Sequence, residues 1–588
     1  MEPQRDDRGR EGHRHGRHIA DRLPSLGVLL CYACLAVALC HKAVVHPASH
    51  LVGSCCDSLV AVSYLQSTGV ALLHGHQPFI TAYLNAPVGV NALWQPSSSI
   101  ALGVAAIPFE LLIGPIATYN LFAIMAVALS GWSAYLVLRR WVGGQTGPIV
   151  GGLVFGFSSY MMVQTIAGHL DLTFLALVPP VLAIIVSLAL GHARSPWRSG
   201  VALGVLLVVQ LLINQEILSD LVIAGLVVTA TLAIVCRQQV VVALPRLAVG
   251  VAVAAVSFLA LGAWPLWTAL FGSLRPTNPI IAPSIPTDLL SFVSPTPLIS
   301  LAPQWLRTID AGWFPDGVDQ SSAYIGIVLL GVTVAAAIAL RRQPVVRVAS
   351  LGAVIMAILS LGPNLRVANH LTGIPLPWAV FDHLPLLRFA VTDRFVVFTW
   401  LGVAVVLAAF VRAATEARLR GRLLWLVALV TGLVLLTPFP LTTTSLPTPS
   451  IFTDPSLTKA LPSGGLVYVA PFPRAENVAP LQWQAETRMR FSMPGGYVLV
   501  PTRSGALAST TGAVDDLSQS LLDLQAGRSP PPRIEWPTLR AELASDRAAA
   551  VLVGPMDHER AVREFLTMML ASPPRPIGGV YVWRLGRH

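Results

Sequence analysis

Asp57 is the one acidic residue between Asp21 and Glu110, and it stands just past the first long apolar run of the chain. A carboxylate there lies at the bilayer surface, within reach of a lipid phosphate headgroup and of a water-soluble acceptor together. As a general base it would take the proton of an attacking hydroxyl. Asp ahead of an apolar run is also an ordinary helix-start signal, and the two roles are compatible. The amphipathic stretch 58–73 follows, and then His74-Gly-His76-Gln-Pro78, whose two imidazoles are candidate substrate contacts.

Further polar residues gather where other apolar runs end. His169 and Asp171 lie in Gly168-His-Leu-Asp171, and Gln215, Glu216 and Asp220 fall at a second junction. Polar groups at that depth are costly in lipid, so they line a cavity or bond a neighbouring helix. The loop 272–321 carries Trp305, Arg307, Asp310, Trp313, Asp316 and Asp319. Aromatic faces beside carboxylates suit a sugar, Trp313 being the chosen contact, although an interfacial aromatic belt has the same composition. A later loop offers His370, Trp378, Asp382, His383, Arg388, Asp393 and Arg394. Guanidinium binds phosphoryl oxygens bidentately, which makes Arg388 and Arg394 candidate phosphate clamps; snorkelling to headgroups or pairing with Asp393 is the plainer account.

No set of residues reads as a metal site. Cys31, Cys34 and Cys40 fall within the first apolar run without other ligands, Cys55 and Cys56 are adjacent, and His169 with Asp171 is a two-ligand signal at most. No cofactor is expected, and participation of a divalent cation is left open.

The elements that must position these groups are apolar. With 54% hydrophobic and 12% charged residues among 588, the chain cannot be one water-soluble core with a polar surface. Eleven segments approach the ~20 residues that span hydrocarbon: 23–45, 116–138, 147–167, 170–190, 199–214, 216–236, 246–271, 322–340, 346–362, 394–411 and 423–440. Arginine falls in alternate connections: six in the tail 1–22, then Arg139/Arg140, Arg194/Arg198, Arg237/Arg246, Arg341/Arg342/Arg347 and Arg412/Arg418/Arg420/Arg422. No Lys or Arg occurs between Ala43 and Pro115. The positive-inside rule then puts the N-terminus in the cytoplasm of a plasma-membrane protein, and the long first loop 46–115 and residues 450–588 outside. The stretch 98–113, with Pro108 and Glu110, breaks this alternation if it crosses, so it is read as a re-entrant or interfacial helix. The first run is read as a retained signal-anchor. The net charge of +10 reflects topology and anionic lipid, not nucleic acid.

After 23–440 the composition changes. A Thr/Ser/Pro linker, 441–449, precedes a small α/β domain, 450–588, in which 465–470 (GLVYVA), 549–554 (AAVLVG) and 579–584 (GVYVWR) read as strands and 559–570 as a helix. Trp483, Glu486, Arg488, Arg490 and Tyr497 flank Met493-Pro-Gly-Gly496, a turn needing positive φ. A plain surface loop is the simple reading of that turn, and a contact over the cleft the sharper one.

A first span leading into a long loop that opens on an acid, two interfacial helices and then a short-loop helical series resembles the GT-C superfamily of polyprenyl-phosphate-sugar-dependent glycosyltransferases. Asp57, His74-Gly-His-Gln-Pro78, Ala86-Pro-Val-Gly-Val-Asn91, Gly114-Pro-Ile-Ala-Thr-Tyr-Asn120 and Arg139-Arg140 look like the N-terminal half of such proteins in actinobacteria. Gly168-His169 and Gln215-Glu216 are similar to large bacterial membrane proteins near the YfhO-like branch. The resemblance covers about residues 20–400. It implies a polyprenyl-phosphate sugar donor, inverting transfer on the external face to a glycan, lipid or protein acceptor, and a first-loop carboxylate as base, the place Asp57 occupies. Many relatives carry two adjacent acids there, whereas Ser58 follows here. Two other classes stay open: a non-catalytic envelope scaffold or polysaccharide-binding protein, and a lipid or glycan transporter or flippase, which the absence of an internal repeat disfavours.

Overall fold

The computed structural model describes the chain except residues 1–24, 54–55, 278–284, 314–321, 385–386, 388–389, 417–420, 502–504, 510–514 and 587–588. Each of the eleven apolar segments is helical. Four of them are broken, 23–45 at Cys40 and three others where local signals demand it. Ser158 caps a new helix by accepting from Met161 N at 3.3 Å, Pro179 and Pro180 start Val178–Ala189, and Gly262 separates Arg237–Leu261 from Ala263–Phe271. Among the described residues seven helices are long and apolar enough to cross a membrane. The protein is a multi-pass membrane protein.

Without a hydrophobic drive between helices in lipid, packing rests on close backbone approach at small residues. The helices Pro115–Trp141, Thr146–Gly156 and Val396–Thr415 pack in this way. A Cβ on Gly156 would sit 2.6 Å from Gly131 Cα, and one on Gly147 would collide with the Ala408 carbonyl. Val396–Thr415 is buried along nearly its whole length, which makes it the central post of the bundle. The arginine-bearing helix ends tie to one another: Arg412 donates to the Val142 carbonyl, and Arg246 to the Gly191 carbonyl at 3.1 Å.

In the first loop, Ile100–Ile113 has 14 residues, about 21 Å at 1.5 Å per residue and short of the ~30 Å of hydrocarbon. Its end is exposed at Leu111, Leu112 and Ile113. It lies against Cys56–Leu73, where Glu110 closes on Gly69 and Thr68 on Gly103. Cys56–Leu73 differs from the amphipathic helix that its sequence suggests, since all but its ends is buried. The C-terminal domain covers the face that solvent would otherwise meet.

That domain carries a four-stranded sheet in the order Arg575–Ile577, Val580–Arg584, Ala548–Val553, Leu466–Ala470, with the last pair parallel and the others antiparallel. Both faces are buried, so alternate residues enter different cores. Tyr468, Val551, Val553 and Trp583 pack under the helices Asp516–Gln525, Trp536–Ser545 and Glu559–Leu570. Val467, Val469, Leu552 and Val582 face Trp483 and Met493, and beyond them Val60, Tyr64, Phe79 and Leu93 of the first loop.

The linker after the last apolar helix is a strand as well. Thr443–Ser445 pairs antiparallel with His50–Val52, immediately ahead of Asp57. Met493-Pro-Gly-Gly496 is not a free surface turn. Gly495 (φ +70°) has no room for a Cβ beside the Phe472 ring, and Asn85 N donates to Gly495 O at 2.6 Å, which docks the turn on the first loop. Gln95 clamps the backbone of Leu499 in both directions, at 2.6 and 2.7 Å.

Burial pushes the carboxyl of Glu486, in this docked domain, up to about 7. A folded-state value above the unfolded one makes stability fall as pH rises from the ordinary carboxylate range through about 7. Glu486→Gln should therefore gain melting temperature relative to wild type between about pH 5 and about pH 8. A difference that does not vary with pH in detergent-solubilised protein would contradict the burial of this group.

Candidate active site

Four helix starts meet at the end of the bundle opposite the arginines, and each carries an acid in its first turn: Asp57, Asp171, Glu216 and Asp393. Unpaired N–H groups and the helix dipole favour negative charge at such positions. Gly168 makes the first junction. At φ +90° it ends Ser159–Ala167, its N–H returning to the Gln164 and Thr165 carbonyls, and turns His169 back toward Asp57. It also lies flat on Ser58: a Cβ there would stand 2.6 Å from Ser58 N and strike its Oγ.

His169 Nε2 lies 3.2 Å from Asp57 Oδ2, and Nδ1 lies 2.6 Å from Gln164 Oε1. A ring flanked by two acceptors satisfies both only with hydrogen on both nitrogens, with the Gln164 amide oriented as placed. The Asp57 side chain is 29% exposed and that of His169 16%, so the pair opens to solvent on one side and rests on protein on the other. Tyr119 Oη donates to Gly168 O at 3.3 Å, and Ser58 Oγ to Val52 O at 3.0 Å. Asn120 holds the approach to Asp57, accepting from Val52 N at 2.9 Å and donating to the Pro47 and His50 carbonyls.

The second junction is built by Asn214. Its extended backbone caps Gln215–Val235, its Oδ1 accepts from Ile217 N at 2.7 Å, and its Nδ2 donates to Asp171 Oδ2. Arg394 comes from the turn Thr392–Phe395 and is enclosed, with 8% of its side chain exposed. Its Nε lies 3.6 Å from Glu216 Oε1 and 3.6 Å from Asp393 Oδ1, and Asp220 is buried one turn beyond Glu216. Glu216 lies within electrostatic reach of Arg394, Asp171 and His169, which draws the two junctions together.

Five of the sequence candidates are brought together in this way: Asp57, His169, Asp171, Glu216 and Arg394. His74 and His76 are exposed at the far end of Cys56–Leu73, about 26 Å from Asp57 along the axis at 1.5 Å per residue. There His74 Nδ1 meets the Val70 carbonyl at 2.8 Å and finishes the helix. Trp313 ends the helix Gln304–Trp313, but its side chain, like Arg388, Cys55 and the tail 1–22, lies outside the described residues. Asn214, Gln164 and Asn120 were missed. Asn214 had a signal, an N-cap type directly ahead of an apolar run; Gln164 and Asn120 had only their polarity inside apolar helices. Among the described residues no group of three or more His, Cys, Asp or Glu is arranged to hold a metal. Asp57 and His169 would supply two ligands at most. A cavity of about 1530 Å³ lies elsewhere, lined by Arg140, Arg194 and Arg237.

No protein-family model and no curated protein matches the chain. Solved structures do. The mycobacterial arabinofuranosyltransferase AftD superposes with a TM-score of 0.53 at 17% identity, over 95% of this chain and 40% of AftD. The chain has the GT-C fold. ArnT from Cupriavidus metallidurans (TM-score 0.44, 12% identity, 96% of this chain and 98% of ArnT) is a more distant likeness. So is the Archaeoglobus fulgidus oligosaccharyltransferase AglB (0.43, 11%, 91% and 70%), whose structure contains an inhibitory peptide and a dolichol-phosphate. The chain spans about two-fifths of the length of AftD. The YfhO-like branch stays a resemblance of motifs.

In this GT-C fold the contact between Gly168 and Ser58 sets the distance from His169 to Asp57. Gly168→Ala adds crowding to backbone strain and should cost about 1–3 kcal/mol. Gly144→Ala, at φ +71° with open space around it, carries the strain alone and serves as the control. A clearly larger drop in apparent melting temperature for Gly168→Ala is expected; equal drops would remove the close approach from the account.

Proposed function

We propose that the protein is a membrane glycosyltransferase that moves a hexosyl or pentosyl group from a polyprenyl-phosphate donor to a glycan, lipid or protein acceptor of the cell envelope. The observation that carries this reading is the contact of Asp57 with His169 where helix starts converge on a GT-C fold. The arginine distribution supports a site on the external face, with the N-terminus cytoplasmic and residues 450–588 outside.

In the proposed reaction an acceptor hydroxyl loses its proton to Asp57 as its oxygen attacks the anomeric carbon of the donor. The bond from that carbon to the phosphate oxygen breaks, and the electron pair leaves on polyprenyl phosphate. Attack opposite the leaving group inverts the anomeric centre. His169 positions the carboxylate, and Gln164 fixes the ring. Arg394, enclosed by Glu216 and Asp393, acts as a positioning residue for those carboxylates and not as the open phosphate clamp its sequence context suggests.

Membranes supplied with polyprenyl-phosphate sugars test the assignment. Asp57→Asn should lower kcat by ~10²–10⁴, the range of general-base catalysis, while the protein keeps its melting temperature. His169→Gln should lose less, and the double variant should be no worse than Asp57→Asn, because the two residues act as one unit. Wild-type transfer by Asp57→Asn would remove the base. It would favour the scaffold reading, to which the sheet sealed over the first loop lends support.

A further inference from the structure

The cavity of about 1530 Å³ is larger than the ~300–1,000 Å³ of a small-molecule pocket and has no part in the site above. Arg140, Arg194, Arg198, Arg237 and His192 line it, and no Asp or Glu does. Other arginines at this end of the bundle are engaged: Arg412 pairs with Glu416 and bonds the Val142 carbonyl, and Arg246 bonds the Gly191 carbonyl. Among the described residues the four cavity arginines form no ion pair. Arg198 stacks over Trp197, 5.2 Å from the ring centroid, and that ring is exposed as an interfacial tryptophan would be.

The rest of the wall is apolar and follows the helix axes inward. It runs from Val235 to Ala224 on one helix and from Pro344 to Met356 on another, which is about 16 and 18 Å at 1.5 Å per residue. Half of a ~30 Å hydrocarbon core is about 15 Å, the depth of one leaflet. A cationic mouth above an apolar shaft one leaflet deep has the dimensions of an anionic amphiphile standing upright in the bilayer.

We propose that this cavity binds one anionic phospholipid of the arginine-side leaflet, its phosphate held by Arg140, Arg194 and Arg237 and an acyl chain lying along the apolar wall. Basic pockets between membrane helices suit diacidic headgroups in particular. A polyprenyl-phosphate donor is a poorer fit, since its phosphate must lie beside Asp57, at the opposite end of the bundle, when it reacts. The choice of a phospholipid over a polyprenyl phosphate rests on the glycosyltransferase reading; the anionic, amphiphilic character of the occupant does not.

Native mass spectrometry of the full-length protein, delipidated and then titrated with tetraoleoyl diphosphatidylglycerol, dioleoyl phosphatidylcholine or undecaprenyl phosphate, tests it. A single diphosphatidylglycerol adduct is expected, retained at least about tenfold more tightly than phosphatidylcholine and weakened by salt. Arg194→Gln/Arg237→Gln should lose that preference. Arg194→Lys/Arg237→Lys, which keeps the charge and reports that the fold tolerates change at both positions, should keep it within about threefold. Equal retention of phosphatidylcholine, an unchanged preference in the glutamine variant, or stoichiometric displacement by undecaprenyl phosphate would each overturn the proposal.

Discussion

Placing carboxylates at the start of helices that end inside a membrane protein is the constraint on which the rest of the structure depends. Losing one member of a buried charge pair costs about 3–5 kcal/mol, so the enclosed acids need partners at their own depth, while Asp57, with 29% of its side chain exposed, depends less on its pairing. Asp57 meets His169, Asp171 meets Asn214, and Glu216 and Asp393 share Arg394. Satisfying these pairs brings four chain segments to one place, and small residues between the apolar helices let the backbones come close enough to do so.

The same demand explains the architecture outside the bundle. Asp57 opens a helix that packs on Ile100–Ile113 and on Gly168, and the chain also holds it from behind. His50–Val52 is paired by Thr443–Ser445, Ser58 donates to the Val52 carbonyl, and Asn120 takes the remaining backbone groups. From above, one face of the C-terminal sheet shares a core with Val60 and Tyr64 of that helix. The last quarter of the sequence therefore reaches the candidate site through the backbone on either side of Asp57. A structural role of this kind sets the orientation of the Asp57 carboxylate from outside the site.

Much of this was readable in the sequence, for a physical reason. Apolar runs interrupted by isolated polar residues mark both the helices and the depth at which polar groups must find partners, so Asp57, His169, Asp171, Glu216 and Arg394 stood out before any coordinates. The strands 465–470, 549–554 and 579–584 were legible because they are buried on both faces. Other features were not. Thr443–Ser445 is three residues long, with a partner nearly four hundred positions away, and no local period reveals such a pairing. His74 and His76 looked close to Asp57 along the chain, yet a helix carries them a bilayer's thickness from it. Arg394 had the chemistry of a phosphate clamp with Asp393 as a legible neighbour, and only the fold adds Glu216 on its other side.

The central claim is that Asp57 and His169 border the place where a lipid-linked sugar reacts. Cryo-electron microscopy of the full chain with a non-transferable polyprenyl-phosphate sugar analogue addresses it directly. The account predicts density for the sugar against Asp57, with the phosphate on the same side of the bundle. An analogue seated in the arginine-lined cavity, with nothing beside the Asp57–His169 pair, would contradict it.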